Sequence, residues 1–309
     1  MACRSAALTK KEENIMNNPH ANSDAIARKY LDSLVIEQRV LGAVTPSAKV
    51  TFLGREYETP IMTGALSHLK NGMAGYAEGA RLAGAAACIG MGDNEVLGAC
   101  LDTGASVVKI IKPYADRDEI FSRLRFAEEH GAIAVGMDSG HAIKPESPAF
   151  DTIVGSPMKL PTLDELKEYI SSTKLPFFFK DILSVQDALL AREIGAAGVI
   201  LSHHHDLMHW AVPPIFLLPE IRRAVGNDFI LIADGGIEDG FDAFKALALG
   251  ADMVCTGRAL MGPYAKEGAQ GVAAALRTMT DELLSMMYRT NAADVKSIDS
   301  SVIHEARWL

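Results

Sequence analysis

The chain lacks several features that would place it in common classes of protein. Its 309 residues include only four cysteines, none in CxxC spacing, so neither a disulfide framework nor a paired-thiol metal motif is indicated. No apolar run approaches the roughly 20 residues that cross a bilayer, and no long apolar stretch near the start indicates a signal peptide. The 30 Lys and Arg are outnumbered by 39 Asp and Glu, which argues against broad nucleic-acid or anionic-membrane binding. We therefore expect a cytoplasmic protein.

The sequence does contain a repeated alternation of short apolar runs and helical patterns. Eight apolar runs follow one another along the chain, at 60–65, 85–90, 106–111, 132–137, 176–180, 197–202, 229–234 and 252–257. Because these runs are continuous rather than alternating, they are typical of strands that are covered on both faces. Eight strand–helix units at this spacing predict an α/β fold, a (β/α)8 TIM barrel. A doubly wound sheet is the alternative, but no G-x-G-x-x-G follows the first strand.

The residues before this alternation predict an N-terminal extension. Residues 24–41 have helical spacing of apolar side chains, and residues 49–58 have the pattern of a short hairpin. We therefore divide the chain into an extension over 1–59 and a barrel over 60–309, which form a single domain overall. The longest connection, 138–175, is rich in Pro and Ser and is the best candidate for a lid or substrate loop.

In a barrel of this kind the active site lies at the carboxyl ends of the strands. Glycine-rich turns, "ADGGIEDG" and "TGRALMG", follow the last two predicted strands. Turns at these positions commonly bind phosphate through backbone N–H groups and a helix N-terminus, and Arg258 can add a charged fork. They predict a phosphate-bearing ligand. Lys180 ends the apolar run "LPFFFK". Either burial and neighbouring groups shift its pKa, or its side chain extends to reach water. The same two possibilities hold for Lys109.

Four of the nine histidines lie in one segment, "VILSHHHDLMHW", at 199–210. His204 shares strand parity with Ser202, whereas His203 and His205 have the opposite parity, so all three cannot face one site from within a strand. One histidine acting as an acid or base is the favoured interpretation. A metal site, which needs about three converging ligands, is an alternative, and so are hydrogen-bonded or solvated histidines.

The second half of the chain resembles a known family on these same residues. The stretches "FFFKDILSVQDALLAREIGAAGVILSHHH" and "LIADGGIEDGFDAFKALALGADMVCTGRAL" are similar to the FMN-dependent α-hydroxy acid oxidases and dehydrogenases, such as glycolate oxidase and lactate oxidase. The resemblance covers residues 30–270 and is strong after residue 176. It implies FMN as the cofactor, a small-molecule substrate and a homo-oligomer, often a tetramer.

Carried over residue by residue, the resemblance implies a role for each strand-end residue. Lys180 would stabilise negative charge on the reduced flavin near its N1 atom, and His204 would be the general base that takes the substrate's proton. The resemblance implies cofactor contacts by Thr63, Gly64, Ala65, Lys109, Lys180, Ser202, Asp234, Gly235, Gly236, Gly257 and Arg258. It implies no metal ligand.

Several residues of the family pattern are replaced in this sequence. The arginine that clamps the substrate carboxylate, three residues after the histidine, is replaced by Leu207, and the phosphate-loop arginine is replaced by Glu238. The tyrosine at the end of the third strand appears as Ile111, whereas Asp138 matches the pattern. The predicted function is therefore an FMN-dependent oxidoreductase whose substrate need not be an α-hydroxy acid. A flavin-dependent isomerase similar to type 2 isopentenyl diphosphate isomerase, and a flavin-binding protein without turnover, are the alternatives.

Overall fold

A computed structural model describes residues 22–66, 69, 72–145, 147–204 and 208–306. The strands in chain order are β1 (Leu34–Ile36), β2 (Val50–Phe52), β3 (Arg55–Tyr57), β4 (Ile61–Thr63), β5 (Ala87–Ile89), β6 (Val107–Ile111), β7 (Ala134–Asp138), β8 (Thr152–Ile153), β9 (Ser156–Pro157), β10 (Phe177–Lys180), β11 (Gly198–Leu201), β12 (Ile230–Ala233), β13 (Met253–Thr256) and β14 (Ile303–Glu305). Eight of them, β4–β7 and β10–β13, are parallel and close into a barrel, with β13 paired to β4. The predicted (β/α)8 barrel is confirmed.

Helices alternate with the barrel strands and form the outer layer. In the described ranges they are α1 (Ser23–Ser33), α2 (Met73–Leu82), α3 (Asn94–Asp102), α4 (Arg117–Glu129), α5 (Leu163–Ser171), α6 (Val185–Glu193), α7 (Pro214–Val225), α8 (Gly240–Ala248) and α9 (Arg258–Arg289). Helix α6 begins at a Ser184 cap that accepts from Asp187 N, and α8 begins in the same way at Asp239. Every helix in the part of the chain that the structure describes is too short or too polar to span a membrane.

Strand parity separates two layers of core. Alternate residues of the barrel strands, including Ile110, Phe178 and Ile200, pack together inside the barrel, whereas their neighbours pack outward against the helices. Two residues further along each strand, the same inward parity reaches the carboxyl-end mouth of the barrel. This rule positions Lys112 after β6 and Lys180 at the end of β10 in that mouth.

The N-terminal extension packs against the barrel and also pairs with a strand near the other end of the described chain. The hairpin of β2 and β3 forms as predicted, and its Phe52 and Tyr57 pack onto the inner barrel core. The predicted helix over 24–41 is too long, because α1 ends at Ser33 and the chain continues as β1. Strand β1 pairs antiparallel with β14, and the ladder hydrogen bonds of this pairing replace those of a continued helix.

Candidate active site

A cavity of about 1120 Å³ opens at the carboxyl ends of the barrel strands. This volume exceeds the roughly 300–1,000 Å³ of a typical small-molecule site, so it accommodates a cofactor-sized molecule together with a small second ligand. The cavity is lined by predicted site residues from five strand ends, namely Gly64, Ala65, Lys180, Ser202, His204, Asp234, Gly235, Gly236, Gly257 and Arg258. The predicted lid also contributes, through the β8–β9 hairpin.

Two predicted cofactor contacts lie outside the cavity lining. Thr63 Oγ1 instead donates to a backbone carbonyl of β5 at 3.1 Å. Lys109 has the outward parity of β6, and its buried Nζ donates to the carbonyl oxygens of Gly90 and Gly92 at 2.5 and 3.1 Å. Burial, together with the charge of Arg123, lowers the pKa of Lys109 to about 7. The geometry therefore does not support a cofactor contact by the Lys109 side chain, because strand parity turns it away from the mouth.

Lys180 is a buried positive charge at the floor of the cavity. Its Nζ lies 2.8 Å from Asp181 Oδ1 and 3.6 Å from Asp138 Oδ1, and it donates to Ser202 Oγ at 3.1 Å. Burial alone would lower the pKa of Lys180, but the carboxylates of Asp138 and Asp181 raise it above the ordinary value. The side chain is thus held as an ammonium group in one position.

His204 lies beside this ammonium group. Its Nδ1 is 3.1 Å from Lys180 Nζ and 3.4 Å from Asp138 Oδ1. The backbone of His204 is in the left-handed region, with φ 46°, and its N–H donates to Ser202 Oγ at 3.2 Å. Burial, reinforced by the charge of Lys180, lowers the pKa of His204 to about 3. The imidazole is therefore neutral at neutral pH, with one of its two ring nitrogens carrying no proton.

Sequence reasoning missed two residues of this network, Lys112 and His141. The buried Lys112 side chain forms a close ion pair with Asp138, and its Nζ lies 2.6 Å from His141 Nδ1. Burial lowers the pKa of Lys112, and the charge of Asp138 opposes this shift. The His141 ring stands 4.2 Å from the His204 ring, at 71° to it. Both missed residues line the cavity. The inward parity of β6 was an available signal for Lys112, but no sequence pattern marked His141, because it comes from the irregular lid.

Asp138 joins the two lysines and the two histidines. Burial would raise the pKa of Asp138, but the charges of Lys180 and Lys112 hold that pKa well below its ordinary value, so Asp138 is a carboxylate. Asp138, His141 and His204 offer ligand atoms within 4.8 Å of one another, which is close enough for a metal ion. However, Lys112 and Lys180 already contact the histidine Nδ1 atoms, so a divalent cation would have to displace two ammonium groups.

The glycine-rich turns after β12 and β13, which we call the glycine-lined end of the cavity, have the features of a phosphate site. Helix α9 begins at Gly257 without a side-chain cap, which leaves its first N–H groups open to an anion. A Cβ atom on Gly64 would lie 3.1 Å from Gly257 Cα, so the two turns pack backbone to backbone. Gly235 and Gly236 have φ values of 98° and 81°, which glycine adopts far more readily than other residues.

Acidic side chains also face this end. Arg258, the predicted phosphate ligand, pairs through Nη1 with Asp24 Oδ2 of α1 at 2.7 Å. Asp24 Oδ1 lies 3.7 Å from Nδ1 of the buried His203. Glu238 and Asp24 both line the cavity. Of the other histidines in the run, His209 does not line the cavity. His205 and Leu207 lie outside the described residues.

Together these features define a cofactor-binding (β/α)8 barrel, with a glycine-lined anion end and a buried lysine–histidine pair. The family model described as "FMN-dependent dehydrogenase" matches residues 142–305. The chain therefore belongs to the FMN-dependent dehydrogenase family.

Individual relatives agree with this assignment. The chain is 39% identical over 145 residues to an L-lactate oxidase of Alicycliphilus denitrificans, which covers 47% of this chain and 40% of the relative. It is 39% identical over 137 residues to glycolate oxidase of Spinacia oleracea, covering 44% and 37% of the two chains. The matched regions thus span only about two fifths of these relatives. A mandelate oxidase variant with a monooxide FMN adduct superimposes with a TM-score of 0.79 at 25% identity, covering 91% of this chain and 90% of that one.

Proposed function

We propose that the chain is an FMN-dependent oxidoreductase that oxidises the alcohol carbon of a small molecule. The observation that carries this proposal is the cavity-floor arrangement in which the neutral His204 lies 3.1 Å from the Lys180 ammonium and 3.4 Å from the Asp138 carboxylate. A base beside a fixed positive charge suits a reaction that removes a proton while negative charge develops nearby. The names of the relatives, L-lactate oxidase and glycolate oxidase, support the same class of reaction.

The residues present fit FMN. The uncapped start of α9, with Gly257, Gly235 and Gly236, would hold the phosphate, and Lys180 and Ser202 would contact the rest of the cofactor. FMN, when bound, supplies the two-electron acceptor for the oxidation.

The protein's own groups account for the proton chemistry. His204 would accept the substrate proton through its unprotonated ring nitrogen, and its low pKa means that the imidazolium needs stabilisation by a neighbouring group. The Asp138 carboxylate stabilises the imidazolium that forms, since it lies 3.4 Å from His204 Nδ1. Lys180 stabilises negative charge at the cavity floor without having to reorganise, because three polar partners hold its ammonium group.

Recognition of a substrate carboxylate lacks the arginine that the family uses. The clamp arginine of the family is Leu207 in this sequence. Arg123 lines the cavity, but its guanidinium is already paired with Glu119 and donates to the carbonyl of Gly92. We therefore propose weak recognition of the carboxylate, so that 2-hydroxy acids are the first class to test and not a requirement.

The test is a spectrum followed by a reduction assay. Purified protein should be yellow, with FMN released on denaturation, and a 2-hydroxy acid or a matched alcohol without the carboxylate should bleach the flavin under anaerobic conditions. Colourless protein that takes up no added FMN would contradict the proposal. Yellow protein that no alcohol bleaches, but that isomerises an allylic diphosphate, would favour the isomerase alternative.

Three finer features also belong to the proposal. We propose that the protein is cytoplasmic and a homo-oligomer, a tetramer by resemblance, with a small-molecule substrate and no nucleic-acid or membrane partner. The division at residue 60 between extension and barrel stays a prediction. Light scattering of the purified protein measures the oligomeric state directly.

A further inference from the structure

The ion pair between Asp24 and Arg258 closes one side of the glycine-lined end of the cavity. Asp24 lies in the first turn of α1, and its Oδ2 accepts from Arg258 Nη1 at 2.7 Å. The Asp24 side chain is 21% exposed and the Arg258 side chain is 47% exposed, so solvent reaches the pair and either group can exchange its partner. Both residues line the cavity beside the uncapped start of α9.

Ion pairs and hydrogen bonds to neighbouring elements hold helix α1 in position against the barrel. Arg28 forms a two-pronged ion pair with the buried Asp242, at 2.6 and 3.0 Å, and donates to the carbonyl of Gly236 at 3.3 Å. Lys245 Nζ donates to the carbonyl of Leu31 at 2.8 Å. These contacts join α1 to α8 and to the turn after β12. Asp24 therefore stays at the cavity when Arg258 changes partner.

Among the described residues, a phosphate at the start of α9 would meet Arg258 and the carboxylates of Asp24 and Glu238. The family pattern assigns Arg258 to the phosphate, and in this structure the guanidinium of Arg258 is already paired with the Asp24 carboxylate. Glu238 adds a second negative charge in the position where the resemblance has an arginine. A phosphate dianion therefore gains less binding energy from Arg258 than it would from an unpaired guanidinium. A ligand with an uncharged group at this end loses no binding energy through the pairing of Arg258 with Asp24.

We propose that Asp24 competes with the cofactor phosphate for Arg258 and thereby lowers the selectivity of this chain for FMN over riboflavin. This inference rests on the proposed function, because it assumes that the cavity binds a flavin. It assigns to α1, an element outside the barrel, a role in choosing between the phosphorylated and the unphosphorylated cofactor.

The test compares flavin affinities of the full-length apoprotein, measured by quenching of flavin fluorescence with FMN and with riboflavin. Asp24→Asn should tighten FMN binding about fivefold to tenfold and leave riboflavin within about twofold, since only FMN carries the charge that gains a free arginine. The gain should shrink at high salt, because these charges are partly exposed. Riboflavin binding also reports that the variant is folded.

Asp32→Asn is the matched control. It removes the same charge from the same helix, where Asp32 pairs with Arg28 at 2.7 Å and is 64% exposed, away from Arg258. It should change neither affinity. In the Arg258→Met background, Asp24→Asn should no longer tighten FMN binding, because the group for which the two anions compete is gone.

Several outcomes would overturn the inference. Equal shifts for FMN and riboflavin, weaker FMN binding in Asp24→Asn, or a gain that persists in the Arg258→Met background would each contradict competition for Arg258. Failure of the wild-type chain to bind either flavin would instead overturn the proposed function itself, so the two failures are distinguishable.

Discussion

The two ends of the cavity hold their charges in different ways. At the floor, Lys112, Asp138 and Lys180 are each 2–3% exposed, and both lysines form ion pairs with Asp138. At the glycine-lined end, Asp24 and Arg258 form a partly exposed pair at the rim. A buried network keeps each ammonium and carboxylate in one position, whereas a rim pair can give up a partner to a ligand. The floor therefore suits the proposed proton chemistry, whereas the rim pair suits an exchange of one charged partner for a ligand.

This contrast predicts that removing a charge from the floor costs stability. Asp138→Leu should lower the free energy of unfolding by about 3–5 kcal/mol, since it leaves the buried Lys112 without its carboxylate partner. Urea denaturation measures the change. The double variant Asp138→Leu with Lys112→Met should recover part of the loss, and a double variant no more stable than the single one would contradict the pairing.

The fixed ammonium group of Lys180 should also strongly affect the rate of flavin reduction. Lys180→Met should slow anaerobic flavin reduction by about 10²–10³-fold, because charge stabilisation in a buried site is lost. Stopped-flow absorbance measures this rate. Lys159→Met, at a lysine that is 47% exposed, is the control and should not change it. A rate for Lys180→Met within a few-fold of wild type would remove Lys180 from the reaction.

The buried histidine should make stability depend on pH. The pKa of His204 is about 3 in the folded protein, against an ordinary value of 6.5, so the unfolded chain binds a proton that the folded chain refuses. Its contribution to the free energy of unfolding is therefore fully present above about pH 6.5 and falls towards pH 3, by up to about 1.4 kcal/mol per pH unit. Denaturation of His204→Gln at pH 7 and pH 5 should show a shallower dependence than wild type. An unchanged dependence would contradict the burial effect.

The smallest expected effect lies at the rim. Glu238→Gln should tighten FMN binding about twofold to threefold, because one exposed like charge facing the phosphate is removed. Fluorescence titration measures the affinity. Glu220→Gln, an exposed position on α7 outside the cavity lining, is the matched control and should leave it unchanged.

The barrel and much of the site were predictable from the sequence, because both depend on local patterns. Continuous apolar runs marked the strands, and the last residue of a run marked the cavity mouth, as for Lys180 and Ser202. A cofactor contact by Lys109 stays a prediction, although its side chain has the outward parity of β6, which the apolar run around it did not reveal. The inward lysine is Lys112, one residue beyond the predicted strand.

Other features depend on contacts between distant parts of the chain. Asp24 meets Arg258 across 234 residues of sequence, and no local pattern predicts that pairing. The end of α1 at Ser33 depends in the same way on strand β14, near the other end of the described chain. His141 enters the site from a lid whose path follows no periodic pattern.

The central claim is that His204 is the base, and single-turnover reduction of bound flavin tests it most directly. With a substrate that bleaches the wild-type protein, His204→Gln should retain FMN but reduce it about 10²–10⁴-fold more slowly, because the proton acceptor is lost. His209→Gln, a neighbour in the same histidine run that does not line the cavity, should reduce FMN at the wild-type rate. Retained FMN and an unchanged rate in His204→Gln would contradict the account.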